Sequence, residues 1–364
     1  MKTKSILTSL ALATLLPPFT ASLHAQGTLT PPAGQPVASM KSLDQLEART
    51  AIPKSPAVPV AGPHYTISQP GSYYLTGNSE VASGNGINIT ASNVTLDLNG
   101  FALINKNQPE GSTATAVSIA TGVMSAEVKN GTIVGGCVRT DAAAGHPWLA
   151  SFAQKGWEFG VQAEGARGIR ISDLRVNQCS SSGISGMKES VLQNITVTDC
   201  AGNGIYADHS NIAYVTVSGC LDGVTTIGGS ISHATVALCQ GRGLAAARVS
   251  HSNVLECSQI GINSGTVTDC GVYNCGLQGI IVPSGIVSNC TVTDCHAQGI
   301  SVSNGSVTNC QASGNYFEGI LVNSGVVAHC MAQSDSTNPA VVNKNISVGA
   351  AGSSQRIGCV PASE

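Results

Sequence analysis

Residues Gly279 to Gln298 read GIIVPSGIVSNCTVTDCHAQ, and the next twenty, Gly299 to Glu318, read GISVSNGSVTNCQASGNYFE. The two lines align without a gap. Gly and Ile open each, and a cysteine follows at the same place, Cys290 in one and Cys310 in the other. Within each line apolar residues alternate in short runs, as in Cys290-Thr291-Val292. Alternation puts residues two apart on one face of a strand. Gly, Ser, Asn and Asp separate the runs and mark turns. No window supports a helix of about ten residues.

The pattern extends in both directions. Gly followed by an aliphatic residue recurs at Gly183, Gly204, Gly223, Gly243, Gly261, Gly279, Gly299 and Gly319, at intervals of 21, 19, 20, 18, 18, 20 and 20. Ahead of each glycine stands a cysteine column: Cys179, Cys200, Cys220, Cys239, Cys257, Cys275 and Cys295, with Asn315 in the next place. Three residues earlier runs a column of Val176, Val197, Val217, Val236, Val254, Val272, Val292 and Ala312. Two earlier again come Leu174, Ile195, Val215, Ala234, Ser252, Cys270, Cys290, Cys310 and Cys330. A unit of this size cannot bury a face alone, and stacked units share one core. The expectation is an all-β parallel solenoid with one repeat per coil of about 18–21 residues. Nine such coils at about 4.8 Å each make a section on the order of 43 Å long. Coils this uniform leave little loop, so a smooth rod is expected from 179 to 330.

Three blocks resemble secreted bacterial right-handed parallel β-helix proteins. They are Tyr65-Thr66-Ile67-Ser68-Gln69-Pro70-Gly71-Ser72-Tyr73-Tyr74-Leu75, Asn93-Val94-Thr95-Leu96-Asp97-Leu98-Asn99-Gly100-Phe101 and Val128-Lys129-Asn130-Gly131-Thr132-Ile133. The chain is similar to the pectate-lyase-like superfamily in fold, over roughly residues 43 to 335. The resemblance implies right-handed coiling. It carries little about activity, because one fold hosts many chemistries. The triple-Asp and Gly-His-Gly patterns of polygalacturonases and the Arg-rich motifs of pectate lyases are missing from the chain.

Composition agrees with stacked strands. Of 364 residues, 42 are Gly and 13 are Cys, and charged residues make up only 10%. A net charge of −3 gives no basic excess for neutralising phosphates, which argues against a nucleic-acid partner. Lys2 and Lys4, the apolar run Ile6 to Leu16, and Ala25 read as a secretory signal over 1–25. Export to the periplasm, cell surface or medium is the expectation, with no membrane span. Residues 26–62, rich in Pro and Ala, read as a linker, 63–335 as the β-helix, and 336–364 as a last irregular coil and cap.

The cysteines of a stacked column have parallel Cβ vectors at about 4.8 Å, whereas a disulfide needs about 3.8 Å. Mostly free, buried thiols are therefore expected, with a bridge between the columns, such as Cys270 with Cys275, as the alternative. A metal ladder is disfavoured because parallel thiols do not converge tetrahedrally. An outward column reads Asp173, Asn194, Tyr214, His233, His251, Asp269, Asn289, Asn309 and His329. His233, His251 and Asp269 are a weak metal candidate, since one ion does not easily reach three successive coils. A solvated polar stripe is the plainer reading, and no cofactor is expected.

Enzymes of this fold need carboxylates at a defined separation, or calcium-binding acids with a basic partner. The best acidic stripe is Asp199, Glu256 and Asp294. Glu256 and Asp294 lie two coils apart, roughly 9.6 Å, at the upper limit for an inverting pair. Asn274 stands between them where a base would be wanted, and calcium enters only if a lyase is assumed. Asp208-His209 is the single acidic-His dipeptide. The long insertion Val138 to Gly160 carries His146, Trp148, Phe152, Trp157 and Phe159. Trp148, Trp157 and His146 could form an aromatic platform for sugar rings, or the insertion could cover apolar surface. The reading is a non-catalytic carbohydrate-binding or surface-organising β-helix protein with a polysaccharide or cell-surface glycan as partner. An atypical lyase or hydrolase, and a structural or adhesive rod, stand beside it. Oligomeric state is not legible.

Overall fold

A computed structural model describes residues 48–54, 60–106, 108–140, 150–153, 155–333, 345–349 and 355–361. These form a parallel β-solenoid of about thirteen turns with three faces. Long strands such as Val191–Thr198, Asn211–Ser218 and Ser230–Ala237 run through the first face, bend at a corner, and continue along the second. Shorter strands such as Ile184–Lys188, Ile205–Asp208 and Val224–Thr225 make the third face. Each strand pairs in parallel with its equivalent one coil on, as Ile195 with Val215 and Val215 with Ala234.

The corner between the first and second faces explains the outward polar column. Asp173, Asn194, Tyr214, His233, His251, Asp269, Asn289, Asn309 and His329 all have φ between 48° and 56°. That is the left-handed region, where Asn, Asp and His are enriched. A backbone requirement therefore selects these residues. Their side chains then stack along the outside. Asn309 Nδ2 donates to Asn289 Oδ1 at 3.3 Å, and Asn289 Nδ2 donates to Asp269 Oδ1 at 3.0 Å. The next corner repeats the device with Gln178, Asp199, Leu238, Glu256, Asn274 and Asp294, again at positive φ.

The core is a set of columns. Val197, Val217, Val236, Val254 and Val292 are fully buried, and Val272 nearly so. The repeated glycines face them at close range. A Cβ on Gly204 would overlap Val217 Cγ1 and the Gly223 carbonyl, and the same holds at Gly183, Gly223 and Gly243 with their own valines. Here glycine answers a packing demand, because its φ is ordinary.

The solenoid starts earlier than the linker reading of 26–62 allows. Thr50–Ile52 pairs in parallel with Tyr73–Leu75, so a coil already exists within that segment. Ile52 is fully buried under the next turn. At the other end Ile346–Val348 and Gln355–Ile357 pair with Ile320–Ala328 and add a further coil. Residues 1–25 lie outside the described residues. Among the described residues no helix is long and apolar enough to cross a membrane.

A glycine-to-alanine change in the packed column tests this account. Gly204→Ala should lower stability by about 1–3 kcal/mol through overpacking. Urea unfolding followed by circular dichroism should show a lower midpoint, whereas Gly122→Ala, where nothing stands within 4 Å, should avoid that clash and pay only for its positive φ.

Candidate functional site

All thirteen cysteines are free thiols. In both columns each Sγ donates to the carbonyl two residues back, as Cys220 to Ser218 at 3.5 Å and Cys310 to Thr308 at 3.2 Å. Burial alone pushes Cys137 up to about 11. The hydrogen bond with Cys257, together with burial, pushes Cys275 up to about 12. These are packing groups. Cys359 continues the second column, with Sγ on the Ile357 and Val327 carbonyls. Sequence reading missed it because 29 residues, in place of 20, separate it from Cys330.

The acidic stripe is also structural. Asp199 Oδ1 accepts from Arg139 Nη1 at 2.8 Å, and Asp199, Glu256 and Asp294 each occupy a left-handed corner. The structure does not gather them into one cluster. His233 and His251 stack with ring centroids 5.0 Å apart and planes at 4°, and Tyr214 stacks on His233 at 4.6 Å. His251 Nε2 lies 3.5 Å from Asp269 Oδ2. Parallel rings send their nitrogen lone pairs in parallel, so they do not converge on one ion. Among the described residues no group of three or more His, Cys, Asp or Glu is arranged to hold a metal.

Trp157 does not belong to a sugar platform. It is fully buried, and its Nε1 donates to the Gly84 carbonyl at 3.0 Å. A large indole with one polar atom gains more from this pocket than from water. Trp148 and His146 lie outside the described residues. The ends of the insertion are described: Arg139–Thr140 pairs antiparallel with Ser151–Phe152, and Gln240 Nε2 donates to the Ala150 carbonyl.

The expectation of a smooth rod needs correcting. A groove of about 580 Å³ crosses the third face, and Tyr206, Thr225, Ile227, Arg242, Ala245 to Ala247, Asn263 to Gly265 and Pro283-Ser284 surround it. Its origin is coil length. Thr225 and Ser230 pair with Ala245 and Arg248, so the earlier coil has two extra residues there. Asn263 and Thr266 pair with Ile281 and Ile286, so the later coil again has two more. The coils of Leu244 and Ile262 are the short ones, and their outward residues are small. Ile227-Gly228 and Pro283-Ser284 rise on either side as walls. The lining runs over four coil steps from Tyr206 to Pro283, about 19 Å along the stack.

One rim is polar. Tyr206 and Asp208 alternate with buried Ala207 and so share the outward face. Partial burial and the neighbouring Asp208 carboxylate raise the Tyr206 phenol above its usual value. Asp208 Oδ1 is buried without a hydrogen-bond partner, an acceptor such positions seldom leave empty. The His209 ring lies against Gly228, where an added Cβ would come within 2.9 Å of it. Arg242 Nη2 pairs with Asp222 Oδ2 at 3.2 Å at the same mouth. The sequence signal for this site was the pair of 18-residue intervals flanked by longer ones.

The family described as right handed beta helix region matches residues 192–338, so this segment is a right-handed β-helix. No curated protein sequence matches the chain. Among solved structures the chain is similar to the catalytic unit of a thermostable GH87 α-1,3-glucanase from Streptomyces thermodiastaticus. Identity there is 12% and the TM-score 0.50, over 87% of this chain and 64% of that one. A GH87 α-1,3-glucanase catalytic domain in complex with tetrasaccharides gives 11% identity and a TM-score of 0.50, over 90% of this chain and 71% of that one. The A-module of a mannuronan C-5 epimerase from Azotobacter vinelandii gives 12% and 0.49, over 80% and 87%. At 11–12% identity the two glucanase likenesses show the fold alone.

Thiol modification checks the core assignment. With the folded chain at pH 8, Cys137 should be thiolate at about one part in a thousand. Iodoacetamide should leave Cys137 and Cys275 unmodified by mass spectrometry and reach them only in denaturant; labelling at the denatured rate would contradict their burial.

Proposed function

We propose that this chain is a carbohydrate-binding β-helix protein that holds a glycan along the third-face groove. The observation that carries the reading is the groove itself, an open trough of about 580 Å³ with the Tyr206 phenol and the Arg242 guanidinium among its lining. Sugar hydroxyls both donate and accept, which suits the Tyr206 phenol and the Arg242–Asp222 pair at the mouth. The small floor of Ala245, Ala246 and Ala247 admits flat rings, and the Tyr206 ring and Ile227 offer apolar surface at the edge. The tetrasaccharides in the GH87 complex belong to that enzyme, and the present reading rests on the groove. Residues 1–25 support export, which would bring such a protein to extracellular or surface glycans.

Binding without cleavage is the form we favour. Asp199, Glu256 and Asp294 do not line the groove, and Arg139 occupies Asp199. Affinity electrophoresis of the full chain against a panel of neutral and acidic polysaccharides tests the reading. At least one glycan should retard the protein. Tyr206→Ala should weaken retention about tenfold, the equivalent of about 1.4 kcal/mol. Trp148→Ala should leave retention unchanged if the groove is the site and abolish it if the insertion is. No retention by any glycan would overturn the proposal, and release of unsaturated or shortened products would convert it to an enzyme.

A further inference from the structure

The second face carries two outward rows of side chains, and both change character at one place. One row reads Thr216, Thr235, Asn253, Gly271 and Thr291, each paired in register with the next. The other reads Ser218, Ala237, Leu255, Tyr273 and Thr293. Coils on either side are polar in both rows, as Thr216 with Ser218 and Thr291 with Thr293. Between them the first row loses its side chain at Gly271, and the second row turns apolar at Leu255 and Tyr273. Leu255 is 36% exposed and Tyr273 43%. A hollow of about 340 Å³ opens at this point, and Asn253, Leu255, Gly271 and Tyr273 all line it.

Gly271 makes the hollow. Its φ lies outside the left-handed region, so no backbone demand excludes a side chain there. A Cβ would stand 2.6 Å from Asn253 Oδ1, so the amide leans over the glycine. Thr291 stands on the coil beyond, two steps from Asn253 and about 9.6 Å away by coil rise. The lining is thus divided. Leu255 and Tyr273 bring apolar surface, while Asn253, Thr235, Thr291 and Thr293 bring an amide and three hydroxyls. None of the lining residues is charged. A pyranose ring has the complementary make-up, with a face of C–H bonds and a perimeter of hydroxyls that donate and accept. A uronate would find no counter-charge in the lining, which selects a neutral sugar.

We propose that this second-face hollow binds one residue of a neutral hexopyranose glycan, with the Tyr273 ring against the sugar's apolar face and the Asn253 amide on its hydroxyls. The site shares no lining residue with the third-face groove and stands whether or not that groove holds a glycan. Where both are filled, one chain holds two glycan strands on two faces, or two stretches of one strand with the gain that linkage brings.

NMR of the full chain with carbon-13-labelled tyrosine tests the site, because the chain has only 7 tyrosines to resolve. The Tyr273 ring signal is assigned by its loss in Tyr273→Phe. It should shift on titration with at least one of methyl glucopyranoside, methyl galactopyranoside and methyl mannopyranoside, and shift less with methyl glucuronoside. Gly271→Thr gives the position the residue that its row carries at Thr235 and Thr291, and one that strands favour, so the fold should hold. It should fill the hollow and raise the half-saturating sugar concentration about tenfold or more. The Tyr206 signal, assigned in the same way, reports the groove separately, so failure of one site is distinct from failure of the other. A Tyr273 signal that no neutral sugar moves, an equal or larger response to the glucuronoside, or undiminished binding by Gly271→Thr would each overturn the proposal. So would a Tyr273 shift with protein concentration alone, which marks a second copy of the chain as the occupant.

Discussion

Every coil must offer its successor the same hydrogen-bonding pattern at one fixed rise. A backbone N–H that turns inward at a corner has no water to meet, so the next coil must supply an acceptor. At several corners the structure meets this with a small polar atom. Ile169 N–H donates to Ser190 Oγ, Ala234 N–H to Ser252 Oγ, Cys290 N–H to Cys310 Sγ and Cys295 N–H to Asn315 Oδ1. Serine, cysteine and asparagine are chemically distant, yet here they fill one role. The thiol gives the most, since it satisfies the corner and packs as an apolar group.

The same rule explains why chemistry gathers only where the rule is relaxed. On a uniform stack, equivalent side chains sit one coil apart and run parallel, so they form stripes in place of clusters. The Tyr214–His233–His251 stack is such a stripe. The groove is different, because two short coils let Tyr206 and Pro283-Ser284 stand over a low floor.

Much of the architecture could be read directly from the chain. The Gly-Ile spacing marks the coils, the valine and cysteine columns mark the core, and both survive in three dimensions. Free thiols followed from the mismatch between coil rise and disulfide geometry. The site was less legible. Trp157 could be read as a sugar platform or as cover for apolar surface, because composition does not report which face of an insertion turns inward. His233, His251 and Asp269 read as a polar stripe, but the sequence shows a side chain's type and not that a left-handed corner demanded it. The groove was hidden in interval lengths, which matter only once one knows on which face the missing residues fall.

The two-residue difference between coils has a consequence for how such a protein changes over time. Thr225–Ser230 and Ala245–Arg248 span the same gap between two faces with different amounts of chain, and the flanking pairing stays in register. A deletion confined to that bend alters one face and leaves the other two alone. The cavity is thus defined by arithmetic on segment length more than by identity of side chains. Lineages could lengthen, shorten or relocate the trough through small in-frame losses and gains, each absorbed locally, without redesigning the interior.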